Sequence, residues 1–95
     1  MIVLNVTYKM KKDVLAEDFV KALEDGGLAP YCRQEKGNIC YDYFYPADGS
    51  DTLLLLEKWE DAESLAAHGQ TENFKKIGKV KEQFADSTEI MKFEI

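Results

Sequence analysis

The stretch that decides the fold lies in the middle of the chain and reads ICYDYFY (39–45), PADGSD (46–51) and TLLLLEKW (52–59). The two outer segments are apolar and aromatic, a composition typical of strands. Between them, Asp48-Gly49 is a turn signal of the kind that joins neighbouring antiparallel strands. The stretch therefore predicts two strands, Ile39–Tyr45 and Thr52–Trp59, joined by a turn.

The second of these strands is apolar on both faces. Leu53 and Leu55 point to one face while Leu54 and Leu56 point to the other, because side chains alternate along a strand. An antiparallel sheet that is covered on one side only should instead alternate apolar and polar residues. Since the helices can cover only one face, we expect a second copy of the chain to cover the other, because most oligomers are homomeric and two-fold.

The segments before this stretch predict a strand and a helical region. Ile2–Lys9 is rich in β-branched and aromatic residues and predicts a strand. From about Val14 the apolar residues follow a helical period, with Asp13 placed to cap the helix and Gly26-Gly27 to end its regular part. This apolar stripe consists of Leu15, Phe19, Ala22 and Leu23. A short helix is expected to resume within Leu28–Lys36.

The segments after it predict a broken helix and a last strand. Asp61 is placed as one N-cap and Thr71 as a second. The residues expected to face inward are Ala62, Leu65, Ala66 and Gly69, then Phe74, Ile77, Val80 and Phe84. Thr88–Ile95 predicts the closing strand. The order β-α-β-β-α-β is that of a ferredoxin-like α+β fold, in which helices pack on one face of an antiparallel sheet.

The length and composition exclude several classes of protein. A chain of 95 residues predicts a single domain over residues 1–95. Its 12 Lys and Arg against 18 Asp and Glu give a net charge of −6, which argues against a nucleic-acid partner. The longest apolar run, Leu53–Leu56, is far below the ~18 residues of a membrane span. With no signal-peptide pattern, and with Cys32 and Cys40 forming neither a disulfide framework nor a zinc pattern, a cytoplasmic protein with reduced thiols is expected.

His68 is the single histidine of the chain and the first candidate for chemistry. Helical spacing places it ~60° from the apolar stripe, neither exposed nor deeply buried, which suits the lip of a cleft. Two interpretations remain open. It is either a helix-end histidine bonded to a local carbonyl, or a proton acceptor, since only histidine changes charge near neutral pH without perturbation.

The strands carry the other candidates. Asn5 interrupts an apolar strand and needs a hydrogen bond, either from a neighbouring backbone group or from a bound polar ligand. Trp59 is more typical of a core residue than of a cofactor platform. Tyr41 and Tyr43 either orient a phenolic ligand or pack across strands. Glu57 shares a strand face with Trp59, where it either pairs with a lysine or faces the site.

Three fragments of the second half resemble the antibiotic biosynthesis monooxygenase family. They are a Glu-x-Gly that opens a strand (Glu35–Gly37), a Glu-x-Trp (Glu57–Trp59) and a His-x-x-Thr-x-x-Phe (His68–Phe74). All three occur in the order of the family pattern, and the chain has the length of the whole domain. Each fragment alone is a weak signal, whereas the ordered set is specific for family and fold.

The resemblance implies a dimeric α+β barrel, formed by two sheets packed face to face, with a pocket between each sheet and its own helices. Family members described as quinol or anthrone oxygenases act without metal, flavin or haem. They deprotonate a phenolic substrate in an apolar pocket and let the anion react with O₂. Carried over, His68 is the base or anion partner and Asn5 a donor to the substrate oxygen. Trp59, Tyr43 and Phe74 shape the pocket walls.

Two branches of the same superfamily fit less well. Relatives that degrade haem carry an axial histidine about four positions after the counterpart of Phe74, where this chain has Gly78, so no haem is expected. Another branch processes a phosphorylated metabolite in a basic pocket, and Arg33 is the only arginine here.

The sequence thus leaves three functional hypotheses. The preferred one is a cofactor-independent monooxygenase that oxidises a small quinol- or phenol-like aromatic substrate with O₂. The second is a non-catalytic dimeric module that binds small ligands or serves in a stress response. The third is isomerase-type chemistry on a small carbonyl metabolite, with the same base and no consumption of oxygen.

Overall fold

The computed structural model describes all 95 residues and has the element order that the sequence predicts. Four strands and four helices follow one another along the chain. They are β1 (Ile2–Met10), α1 (Ala16–Asp25), α2 (Leu28–Gln34), β2 (Asn38–Phe44), β3 (Thr52–Trp59), α3 (Ala62–His68), α4 (Glu72–Phe84) and β4 (Ala85–Glu94). The predicted ferredoxin-like α+β fold is therefore confirmed. No helix is long and apolar enough to cross a membrane.

The four strands form one antiparallel sheet in the order β2-β3-β1-β4. In this register Val6 lies opposite Leu55 on one side and opposite Ile90 on the other, so these three side chains share a face. Asn5 lies opposite Leu56 and Met91, whose side chains share the other face. The hairpin of β2 and β3 places Tyr41 opposite Glu57.

One face of the sheet is covered by the helices and holds the core. Along β1 and β3 every second residue is buried against them, including Leu4, Val6, Leu53, Leu55 and Trp59. From α1, Phe19 packs edge-on against Tyr8 at 5.1 Å and stacks on Phe84 at 5.6 Å. Aromatic pairs of this geometry add to the stabilisation that comes from burial alone.

The other face of the sheet carries apolar side chains that nothing in the chain covers. Leu54 and Leu56 are half-buried, whereas Phe44, Met91 and Phe93 are exposed, Met91 by 60%. The prediction that β3 is apolar on both faces is confirmed. The contact with a second copy, which that pattern suggests, stays a prediction.

The helix caps agree with the sequence in two cases and differ in one. The Asp61 side chain accepts a hydrogen bond from the Ser64 amide at 2.8 Å, and the Thr71 hydroxyl accepts one from the Phe74 amide at 3.0 Å. The predicted Asp13 cap is wrong, because Asp13 has a φ of +64° within the turn before α1. The cap position is Leu15, which makes no side-chain cap bond.

The inward-facing residues of the last two helices also differ from the prediction. In α3, Ala62, Ala66 and Gly69 are exposed, and the buried residue is His68. In α4, Ile77 is buried as expected, but Asn73 is buried beside it while 44% of Phe74 is exposed. The α3 helix spans only seven residues, and its buried residue, His68, is the last of them.

Candidate active site

His68 lies at the end of α3 with only 4% of its surface exposed. The expectation that it is not deeply buried is therefore wrong. Its ring lies 4.7 Å from that of Trp59 at a tilt of 35°, and Phe74 meets it edge-on at 5.2 Å. Tyr41 lies farther away, at 6.2 Å. Helical spacing could not show this burial, because the covering rings come from two strands and the next helix.

Two carboxylates flank the buried imidazole. Nδ1 of His68 lies 2.7 Å from Oε2 of Glu35, the residue just after α2. Nε2 lies 3.9 Å from Oε1 of Glu57 on β3. Because a carboxylate only accepts hydrogen bonds, the short contact places a proton on Nδ1. In the tautomer that carries its single proton on Nδ1, the lone pair lies on Nε2, on the side of Glu57.

Glu57 itself is buried, with 6% of its surface exposed. Its Oε1 accepts a hydrogen bond of 3.1 Å from Nε1 of Trp59. Burial raises the pKa of Glu57 above its ordinary value of 4.5, although the Trp59 bond and the nearby His68 oppose part of this change. Glu57 therefore holds its proton to a higher pH than an exposed glutamate does.

Gly37 brings Glu35 to the histidine. It has a φ of +85°, a conformation that glycine adopts without strain, and its carbonyl accepts a bond of 2.8 Å from the Glu60 amide. A Cβ at this position would collide with the Ser64 side chain in the first turn of α3. The turn between α2 and β2 can thus lie directly against α3, which leaves Glu35 within bonding distance of His68.

A cavity of about 260 Å³ opens beside these groups, between the sheet and α4. Its walls are mostly apolar and come from β1, α3, α4 and β4; they include Leu4, Val6, Leu65, Phe74, Ile77 and Ile90. Polar side chains reach it at a few points only, namely Glu57, His68, Tyr8, Lys81 and Thr88. Apolar walls with few polar groups are typical of small-molecule sites.

The structure gathers most of the sequence-predicted site residues near this cavity. His68, Glu57 and Phe74 line it, and Trp59 supports His68 from behind. Tyr41 and Tyr43 pack edge-on at 6.0 Å on the same sheet face, and burial raises the pKa of both hydroxyls. Neither tyrosine lines the cavity.

Asn5 does not join this group. Leu4 and Val6 line the cavity, and Asn5 points to the other face of the sheet. Strand alternation therefore directs its amide away from His68, and the two residues do not converge on one cavity. The predicted contact of Asn5 with the oxygen of a substrate held at His68 does not fit this arrangement.

Glu35 is the site residue that the sequence did not single out. It appeared only as the first member of a family fragment, and its partner His68 lies 33 positions away. Its second oxygen, Oε1, is buried without a hydrogen-bond partner, as is the Tyr43 hydroxyl. The Glu-x-Gly spacing was the available signal, since Gly37 is what lets Glu35 reach α3.

One cluster could offer metal ligands. Cys32, Glu35 and His68 each place a ligand atom within 4.8 Å of the others. The Cys32 sulfur, however, lies in the core and is within 3.4 Å of the Asn73 amide nitrogen. Burial raises the pKa of this thiol to about 12, so it is protonated at neutral pH and a poor ligand in that form. The haem-ligand position, Gly78, lines the cavity, and the expected absence of haem stays a prediction.

Sequence comparisons relate the chain to one group of proteins. The family model described as antibiotic biosynthesis monooxygenase matches residues 1–80. The chain is also similar to a Bacillus subtilis (strain 168) protein named "Putative monooxygenase YcnE", with 31% identity over 96 residues. That match covers 100% of this chain and 98% of the relative.

Solved structures show the same fold. A conserved Bacteroides thetaiotaomicron protein, described as a possible oxidoreductase, is 30% identical with a TM-score of 0.84, and the match covers 99% of this chain and 96% of that one. A Nitrosomonas europaea protein described as a putative antibiotic biosynthesis monooxygenase is 21% identical with a TM-score of 0.84, covering 99% and 97%. The second likeness concerns the fold alone.

Proposed function

This chain belongs to the antibiotic biosynthesis monooxygenase family, and we propose that it is a cofactor-independent oxygenase of small quinol- or phenol-like aromatic substrates. The observation that carries the proposal is the buried pair of His68 and Glu35 beside a mostly apolar cavity. The pair supplies a base, because the bond between Glu35 and Nδ1 fixes the orientation of the His68 ring and so of its second nitrogen, Nε2. The cavity supplies mostly apolar walls, against which an aromatic anion and O₂ can meet.

The first step is the removal of a proton from the substrate hydroxyl. Nε2 of His68 accepts this proton, and Glu35 stabilises the imidazolium that forms through its bond to Nδ1. The arrangement follows the general pattern in which a base is held in one tautomer by a carboxylate. A positioned base of this kind contributes about 10²–10⁴-fold in rate.

Oxygen then reacts with the electron-rich anion. One electron passes from the anion to O₂, and the resulting radical pair recombines to form a carbon–oxygen bond at the ring. The O–O bond of this peroxide breaks, so that one oxygen atom remains on the ring and the other leaves as water. For a quinol, quinol plus O₂ gives hydroxyquinone plus water, with the quinol itself supplying the two electrons that complete the reduction.

Oxygen uptake by metal-free protein with a panel of quinols tests this proposal. We expect uptake of one O₂ per quinol, a loss of about 10²–10⁴-fold in His68→Ala, and a smaller loss in Glu35→Gln. Glu63→Gln, at an exposed position of α3, is the matched control and should keep full activity. Uptake that persists in a folded His68→Ala protein would show that the reaction needs no base at this position.

A second candidate function rests on Glu57. Its carboxyl group holds a proton more firmly than usual and lies 3.9 Å from Nε2 of His68, so an acid and a base face the same cavity. Such a pair could move a proton between two carbons of a carbonyl metabolite. An isomerase of this kind would exchange substrate hydrogen for deuterium in heavy water while consuming no O₂.

We further propose that the protein forms a homodimer through the open face of the sheet. The support is the row of exposed apolar side chains on that face, which includes Phe44, Met91 and Phe93. Apolar patches that the chain leaves uncovered are typical of protein–protein contacts. This assembly would produce the face-to-face pair of sheets that the family resemblance implies.

A cytoplasmic location is part of the same proposal. Both cysteines are free thiols, although Cys40 is only half-buried. Free, partly accessible thiols persist in reducing compartments and are oxidised in secreted proteins. Fractionation of the native host, followed by detection of the protein with an antibody, would test the location.

A further inference from the structure

Among the lysine and arginine side chains, only Lys81 lines the cavity. It lies on α4, is half-buried, and lines the cavity together with Thr88 and Ile90 of β4. The ion pairs of the structure are formed by Arg33, His68 and Lys75, so no carboxylate lies within 4.0 Å of the Lys81 ammonium group. The Lys81 side chain thus borders the cavity with no carboxylate of the chain as its partner.

The helix that carries Lys81 has the opposite charge to the rest of the chain. It contains four lysines and two glutamates, although the chain as a whole has a net charge of −6. Lys75 pairs with Glu72 at 3.2 Å, whereas Lys76 and Lys79 are exposed. Of these four lysines only Lys81 lines the cavity, so the positive charge of the α4 wall comes from this residue, and a charge of this sign attracts anions.

Apart from the hydroxyl groups of Tyr8 and Thr88, the polar groups of the cavity are of two kinds. Glu57 and His68 can bind a hydroxyl group, whose proton His68 can accept, whereas Lys81 offers a positive charge to an anionic group. Between them the lining is apolar, which suits an aromatic ring. One ligand that satisfies all three requirements is an aromatic ring with a hydroxyl at one side and an anionic group at another.

We infer that the substrate is a hydroxylated aromatic acid, whose carboxylate pairs with Lys81 while its hydroxyl faces His68. This inference rests on the proposed function, because it names the substrate class of the same cavity. Lys81 is then a specificity-determining residue that distinguishes acidic from neutral quinols. It takes no part in the proton transfer.

Two compounds of nearly equal shape distinguish the contribution of the negative charge to binding from that of the aromatic ring. 2,5-Dihydroxybenzoate carries the carboxylate, and 2,5-dihydroxybenzamide replaces it with a neutral amide. Binding can be followed by the fluorescence of Trp59, the only tryptophan, whose ring lies 4.7 Å from that of His68. Oxygen uptake with the same two compounds gives kcat and KM.

The informative variant is Lys81→Met, which keeps an apolar side chain of similar length against the cavity wall and removes the charge. We expect it to weaken binding of the benzoate by about tenfold and to change binding of the benzamide by less than about twofold. For turnover, KM for the benzoate should rise while kcat changes little. Lys79→Met, an exposed position on the same helix, is the matched control and should leave both affinities unchanged.

The outcomes separate this inference from the proposed function. Equal weakening of both probes in Lys81→Met would mean that the lysine stem only covers the apolar wall, and would overturn the inference. An equal loss in Lys79→Met would overturn it as well, because the effect would then come from the general charge of α4. Charge-selective binding without any O₂ uptake would support the inference about the ligand and count against the oxygenase.

Discussion

The two faces of the sheet differ in which residues they bury: one buries polar side chains and the other exposes apolar ones. On the face that the helices cover, a glutamate and a histidine are buried beside the core, at Glu57 and His68. On the open face, large apolar side chains such as Met91 and Phe93 are exposed. A protein that optimised only its own stability would do the reverse, because burial favours apolar groups and penalises charged ones.

This difference indicates a separate role for each face of the sheet. Buried polar groups are retained where they serve chemistry, and they need partners such as Trp59 for Glu57 and Glu35 for His68. Exposed apolar groups are retained where another surface covers them.

The largest effect is expected from Trp59→Ala on the covered face. Trp59 is fully buried, packs against His68 and donates a hydrogen bond to Glu57, so its removal leaves both a cavity and an unpaired carboxyl oxygen. We expect a loss of about 3–5 kcal/mol in the free energy of unfolding. Urea denaturation of dilute protein measures this loss.

Phe93→Ala on the open face is the comparison for this variant. Because 42% of Phe93 is exposed, its truncation should cost less than about 1 kcal/mol in the isolated chain. Equal losses for Trp59→Ala and Phe93→Ala would show that the two faces are packed to the same degree, and the contrast between them would disappear.

A smaller effect, on assembly, is expected from Leu56→Asp on the open face. Leu56 lies opposite Asn5 and Asp42 near the middle of that face, and a carboxylate there would have to be buried on dimer formation. We expect self-association to weaken by about 100-fold, which corresponds to about 2.7 kcal/mol. Size-exclusion chromatography with light scattering measures the mass of each species.

The native chain should give about twice its 10.8 kDa mass in that experiment, and Leu56→Asp should give the single-chain mass. Gln83→Asp makes the same change of charge at an exposed position of α4 and should remain dimeric. A native chain that is monomeric at high concentration would show that the open face does not form a dimer contact.

The smallest effect concerns the pH dependence of stability at Glu57. Burial raises its pKa in the folded chain, so the folded state binds the proton more tightly than the unfolded state does. The stabilisation from the protonated form is fully present below the ordinary value of 4.5 and is lost as the pH rises through the raised pKa. Glu57→Gln cannot titrate and still offers an oxygen to Trp59.

The stability of Glu57→Gln relative to the native chain should therefore increase as the pH rises from about 4 towards neutrality. Chemical denaturation at a series of pH values measures this difference. Glu60→Gln, at the exposed position just after β3, is the control and should show no such rise. A difference that stays constant across this range would mean that folding leaves the proton affinity of Glu57 unchanged.

Much of the fold could be predicted because its signals are local. The hairpin at Asp48-Gly49 and the caps at Asp61 and Thr71 each involve residues within a few positions of one another. Asp13 shows the limit of such signals, because a residue with the right chemistry for a cap can instead occupy a turn just before the helix. Only the backbone conformation distinguishes these two cases.

The site could be predicted less well because it depends on which face of the sheet the helices cover. Leu4 and Val6 alternate with Val3 and Asn5, and apolar residues occur in both sets, so β1 does not show which set faces the helices. The family resemblance implied that Asn5 lies beside His68, and the pattern of β1 could not contradict it. The contact between Glu35 and His68 joins the C-terminal ends of α2 and α3, which are far apart in the sequence, and no periodicity indicates it.

Gly37 has a consequence for how relatives of this chain can be sorted. Its positive φ and its close approach to Ser64 together exclude any side chain, so the tight turn that presents Glu35 to His68 depends on a residue with no chemistry of its own. A homologue with a larger residue there must move the first turn of α3 or open the turn before β2. In a family alignment, that single column would therefore separate chains that can form the Glu–His pair from chains that cannot.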